Sequence, residues 1–180
     1  MKQTVSRRWA CLAATATLAG CGFQPVYMRT GSGKPGAAQQ GLSSVFIENI
    51  PERPGQVLRQ ALQERFDDDS GTSSDYSLHV GFSIAGQSIA VEQSDIATRL
   101  RLIGHADWSL IGHDEKHTVL LTGSAEAMDG VNIFDSQYFA ADLEVEAEQT
   151  RIAENIATQI ATQIATWFRE KAAKAADKAG

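Results

Sequence analysis

Few residues in this chain have both the type and the spacing to do chemistry. Cys21 is one: it follows Leu18, Ala19 and Gly20 and precedes Gly22. Its thiol is a soft nucleophile that forms a thioether readily, and its small neighbours leave the backbone open to a peptidase. Arg99 and Arg101 are another case. They stand two apart in an alternating segment, so they share one face of a strand, where two guanidiniums can meet an anionic phosphate. The plainer reading is that they pair with Glu126 on a neighbouring strand or keep the face soluble. His113 and His117 bracket Asp114 and Glu115 at a zinc-helix spacing, but they fall in a hairpin turn, where the two rings do not share a face. Asp67, Asp68 and Asp69 lack the ligand spacing of a calcium loop and read as a solvated helix end before Gly71. Gly86, Gln87, Ser88, Ile89 and Ala90 fall one residue short of a nucleophile elbow, which needs a strand turning into a helix, whereas here the strand continues. With no phosphate loop and no cysteine cluster, the expectation is no enzyme, no metal and no cofactor.

The surroundings of Cys21 explain its chemistry. Lys2, Arg7 and Arg8 precede an apolar and small-residue run from Trp9 to Ala19, the layout of a secretory signal and too short a run to span a bilayer. Leu18 to Cys21 resembles the bacterial lipobox, which implies a diacylglyceryl thioether on Cys21, cleavage before it, and acylation of the new amino terminus by a group such as palmitate. Residues 1–20 are then a signal peptide. They hold three basic residues and no acid, so the whole-chain formal charge of −6 becomes −9 in the 160 residues from Cys21. That balance excludes nucleic acid as a main partner. Cys11 leaves with the signal and Cys21 is alkylated, so no disulfide stabilises the exported domain and a hydrophobic core must.

Residues 21–43 read as lipid anchor and linker, rich in Gly, Ser, Ala and Gln. Some 20 residues reach about 65 Å stretched and about 25 Å as a coil, a tether that fixes the compartment without fixing orientation. The folded domain is expected over 44–170. Val45 to Ile47 open as a short strand, and Pro54 then begins an amphipathic helix with Val57, Leu58, Ala61, Leu62 and Phe66 on its apolar face. Tyr76, Leu78, Val80, Phe82 and Ile84 alternate with polar and small residues, with a bulge or bend near Gly86. Ile96, Leu100, Leu102, Ala106, Trp108 and Leu110 give a second strand, interrupted on its polar side by Ile103, and Val119 to Ala127 give a third. Short turns make these three antiparallel. Ile152, Ile156, Ile160, Ile164 and Phe168 recur every four residues beside Ala153, Ala157, Ala161 and Ala165, a helix whose apolar stripe winds over a twisted sheet. Residues 171–180 read as a fraying tail. The expected fold is α+β, in the order β-α-β-β-β-α: a four-stranded, mainly antiparallel sheet with two helices packed on one face.

Cys21, Gly22, Phe23, Gln24, Pro25, Val26 and Tyr27, then Pro54, Gly55, Gln56, Val57 and Leu58 opening the first helix, together with that element order, resemble the LptE family of lipopolysaccharide-assembly lipoproteins in its alphaproteobacterial form. The resemblance covers essentially the whole mature chain. It implies an outer-membrane lipoprotein, anchored by its N-terminal lipid, with its domain on the periplasmic side inside the lumen of an LptD-type β-barrel. There the pair inserts lipopolysaccharide into the outer leaflet. It also implies basic residues near the sheet tip that meet lipid A phosphates, whereas the tip here, Glu92 to Asp95, is acidic. Arg99 and Arg101 are the candidate lipopolysaccharide contacts, with barrel-wall carboxylates as their other possible partners. Two other classes fit the same residues: an auxiliary lipoprotein of an ABC-type lipid transporter, and a structural envelope tether.

Overall fold

The computed structural model describes residues 35–66, 74–90, 97–134 and 138–179. Cys21, the Asp67 to Asp69 run and the Glu92 to Asp95 tip lie outside them. The elements in order are α1 (Ala37–Leu42), β1 (Val45–Ile47), α2 (Arg53–Phe66), β2 (Tyr76–Ala90), β3 (Ala97–Gly112), β4 (Val119–Phe134) and α3 (Tyr138–Ala179). The strands form one sheet in the order β1-β2-β3-β4. β2, β3 and β4 are successive antiparallel neighbours, as short turns require. β1 runs parallel to β2, with Val45 opposite Tyr76 and Ile47 opposite Leu78, because α2 intervenes as a crossover. The fold is thus α+β with a mixed, mostly antiparallel sheet.

Alternation divides the sheet into two faces. Leu78, Val80, Leu102, Ala106, Trp108, Leu110 and Ala125 are buried on the inner face, under the helices. α3 lies along β4 and β3 and also packs against α2, which places Leu58, Leu62 and Phe66 in the same core. The stripe of Ile152, Ile156, Ile160 and Ile164 is fully buried, and Ala153, Ala157, Ala161 and Ala165 beside it are buried too. A step of four overshoots one turn by about 40°, so the stripe turns with the sheet beneath it. Gly104 marks the closest approach: a Cβ there would press into Ile152 Cγ2 and come within 3.1 Å of Ile156 Cδ1.

Several boundaries differ from the sequence expectation. The segment read as linker contains α1, and its Ala38 and Leu42 are 3% and 0% exposed within the core. Gly41 makes this possible, because it lets α1 lie directly against the ring of Phe168. The irregularity in β2 falls between Ser88 and Ala90, beyond Gly86, and a second falls at Leu110/Ile111. β4 continues past Ala127 to Phe134. The tail expected to fray is helical to Ala179, and Ala-rich composition with a Glu170–Lys174 spacing favours that.

α3 is fixed to the sheet at two neighbouring places. Along β4, Gln163 Nε2 donates to Ser124 O at 3.2 Å and Gln159 Nε2 donates to Glu126 O at 2.8 Å, so side chains one helical turn apart cover successive edge carbonyls. One turn farther along α3, Tyr76, Trp167 and Phe168 stack edge to face with centroids 4.9 to 6.3 Å apart, tying the helix to the start of β2.

Candidate functional site

The outer sheet face, opposite the helices, carries the candidate site. Its rows follow from the register. His79, Ser109 and Thr122 form one row; Gly81, Asp107 and Ser124 the next; then Ser83, His105 and Glu126. The first two rows line a shallow depression of about 540 Å³. Histidine–carboxylate contacts cross the surface: His79 Nδ1 lies 3.0 Å from Glu48 Oε2, and His105 Nε2 lies 3.2 Å from Asp107 Oδ2 with Glu126 Oε2 at 4.0 Å from Nδ1. All these side chains are exposed, so each pair contributes at most about 1 kcal/mol.

Farther along, the face changes character. Ala85, Ile103 and Met128 form an apolar row across all three strands, and Met128 is 60% exposed. The following row is Gln87, Arg101 and Gly130, with Arg101 exposed. Arg99 stands two residues on, opposite Ala90 and Asn132, at the same parity as Arg101 and hence on the same face by register. The structure therefore brings the two arginine positions together, beside an apolar band. Glu126, considered as their partner, sits opposite His105 instead. That is four residues from Arg101 along the sheet, about 13 Å, too far for an ion pair.

Three polar residues that sequence reading passed over converge behind this end of the sheet. Arg151 Nε donates to Asp129 Oδ2 at 3.1 Å, and Arg151 also donates to Glu148 Oε1. Glu148 is 8% exposed, and its Oε2 has no protein partner among the described residues. Burial raises the pKa of Glu148, with the neighbouring Asp129 carboxyl adding to the rise. Asp129 moves the opposite way: the Glu148 carboxyl first, then the Gly130 N–H and Arg151, hold it down. The signals were present. Glu148 continues the isoleucine stripe four residues upstream of Ile152, and Asp129 continues the inner-face alternation of Ala125 and Ala127.

The two histidines at zinc-helix spacing do not come together. His113 Nδ1 donates to Ser74 O at 2.7 Å, which leaves Nε2 to accept from the Ser77 hydroxyl at 2.7 Å. His113 thereby ties the β3–β4 turn to the loop before β2. His117 adopts a positive φ of 47° in the same turn, whose Asp114 accepts from the Thr118 N–H and hydroxyl at 2.8 and 2.7 Å. The Thr118 N–H is the main cause of a lowered Asp114 pKa. Among the described residues no three His, Cys, Asp or Glu side chains are placed to hold a metal ion. β2 continues as a strand from Gly86 to Ala90, past the irregularity at Ser88, with no strand-to-helix elbow.

A family model, LptE, lipopolysaccharide-assembly, matches residues 42–166 of this chain, from the last residue of α1 through the buried stripe of α3. The chain belongs to the LptE family. LptE proteins are outer-membrane lipoproteins, and membership supports a role in lipopolysaccharide assembly. Solved structures share the fold. A candidate lipoprotein from Caulobacter crescentus superposes with a TM-score of 0.60 at 22% identity, covering 76% of this chain and 98% of that one. A minor lipoprotein from Acinetobacter baumannii gives 0.55 at 14% identity, covering 69% and 92%. No curated protein matches this chain. Among the described residues no helix is long and apolar enough to cross a membrane.

Proposed function

We propose that this LptE-family chain is a non-enzymatic outer-membrane lipoprotein, anchored through a lipid on Cys21, whose domain occupies the lumen of an LptD-type β-barrel and assists lipopolysaccharide insertion into the outer leaflet. The observation that carries this reading is the outer sheet face. Its central rows of Ser, Thr, His, Asp and Glu on three long strands are left uncovered by all three helices. A polar, rigid sheet suits a barrel interior, which is itself polar. The same face supplies a place for the cargo. Lipopolysaccharide offers phosphates and acyl chains side by side; the Arg101 position adjoins the apolar row of Ala85, Ile103 and Met128, and the Arg99 position stands one row beyond it. The roles then divide: Cys21 holds the protein at the membrane, the polar rows face the barrel wall, and the arginines with the apolar row meet the lipid.

Enclosure within a lumen buries more surface than an ordinary encounter and hinders escape, so the complex should be stoichiometric and slow to dissociate. Affinity purification of the tagged native protein from mildly solubilised membranes tests this. A large β-barrel recovered at one to one supports the proposal. Recovery of an inner-membrane permease in its place favours the auxiliary-transporter alternative.

A further inference from the structure

The last turns of α3 carry a feature that the family match does not reach, since the match ends at residue 166. Trp167, Lys171, Lys174 and Lys178 follow one another at intervals of four, three and four, which places them on one side of the helix within an arc of about 60°. They line a groove of about 350 Å³ with Glu170 and Ala175. The stripe extends about 16 Å along the axis. All three lysines are exposed. Lys171 Nζ sits 4.9 Å from the Trp167 ring centroid and 5.1 Å from that of Tyr76, whose hydroxyl accepts its hydrogen bond at 2.9 Å. Glu170 lines the same groove one helical turn before Lys174, while Asp177 lies farther round the helix, so three lysines stand against one acidic residue in the groove.

We propose that this stripe docks on the anionic phospholipid surface of the membrane that holds the N-terminal lipid, and so orients the domain. Charge complementarity carries the choice of occupant. On a chain of formal charge −6, a basic stripe gives an anionic surface one attractive approach while the acidic remainder is repelled. Trp167 adds an amphipathic ring at the root of the stripe, suited to the headgroup level. Position agrees with charge. α1 lies against Phe168 through Gly41, so the chain enters the folded domain at the same end of the molecule as the stripe. Cys21 lies 14 residues before Pro35, within about 48 Å when stretched and about 20 Å as a coil. A lipid tether and a polybasic surface are the two signals that together give stable membrane attachment. The proposal rests on the Cys21 anchor reading for its geometry.

The test is quenching of Trp167 fluorescence by brominated lipid in vesicles carrying the purified lipoprotein. Trp108, the other tryptophan among the described residues, is 3% exposed and serves as an unquenched background. Vesicles with about one-third phosphatidylglycerol should quench Trp167. Pure phosphatidylcholine, or raised salt, should abolish the effect. Lys171→Gln, Lys174→Gln and Lys178→Gln together should reduce the docking equilibrium on the order of 100-fold, from roughly fivefold per lysine. Equal quenching in both vesicle types, quenching untouched by the triple variant, or quenching that requires added lipopolysaccharide would each overturn the proposal. The intact mass of the same sample reports the lipid on Cys21 independently. A chain without that lipid whose quenching still depends on phosphatidylglycerol supports the docking surface while removing the anchor. A lipidated chain without quenching does the reverse.

Discussion

Replacing Gly41 by alanine separates two views of the segment before β1 by the sign of the effect. In a linker, or in a helix end free in solvent, Gly→Ala is neutral or stabilising by up to about 1 kcal/mol, since alanine restricts the unfolded chain and favours helix. In this structure the added Cβ would lie 2.5 Å from Cδ1 and 2.6 Å from Cδ2 of Phe168, roughly 1 Å inside ordinary contact. That ring is 6% exposed and stacked on Tyr76 and Trp167, so it has little room to yield. Overpacking of this kind costs about 1 to 3 kcal/mol. If α1 lifts away instead, the burial of Leu42, worth about 2 kcal/mol, is lost. After the helix-propensity gain, the net is a destabilisation of about 1 to 2 kcal/mol, or roughly 2 to 8 °C in Tm. Urea unfolding of the purified protein followed by circular dichroism reads it directly. A variant as stable as the parent, or more stable, refutes the packing of α1 into the core.

Other consequences follow from the polar clusters and the anchor. Burial raises the Glu148 pKa, so its contribution to stability is fully present below the ordinary carboxylate range and is lost as pH rises through the raised value. Asp129 is held below its usual value and stays ionised through that window. Glu148→Gln should therefore gain on the parent in urea melts as pH rises above the ordinary carboxylate value; a variant that loses ground as pH rises contradicts the assignment. Arg99→Glu with Arg101→Glu should weaken lipopolysaccharide binding by the folded protein, more so at low salt, while leaving thermal stability within about 0.5 kcal/mol. Unchanged binding would return the two residues to surface charge. Cys21→Ser should abolish lipidation, detected as lost acyl mass, and leave the melting of the folded domain unaltered; a fall in melting temperature would mean that the anchor segment packs on the domain.

Periodicity made most of the fold legible. Alternation in β2 and β3 and the four-residue isoleucine stripe state plainly which side of each element faces the core, and the structure buries those sides. Three features were harder to read, each for a physical reason. α1 has only two buried apolar residues in a Gly, Ala and Gln segment, and its helicity depends on Phe168, more than 120 residues away, which no local pattern reveals. β1 is too short to announce its direction, and its parallel pairing follows from the crossover through α2. The end of β4 was cut at Ala127 because Met128 and Asp129 reverse the usual sense of the faces: Met128 is exposed on the outer side while Asp129 turns inward to Arg151. The candidate site was legible in part. Arg99 and Arg101 stand at positions of the same parity in β3, but the apolar row beside Arg101 depends on cross-strand register, which sequence alone does not set.

In the proposed complex the outer sheet face lies against the interior of a barrel. A photo-crosslinking side chain at Thr122, exposed in the middle of that face, tests it most directly in growing cells. One dominant adduct is expected, with the added mass of a large outer-membrane β-barrel, formed without perturbing the folded lipoprotein. A folded, membrane-localised variant that crosslinks only to an inner-membrane permease, or to no barrel at all, would contradict it.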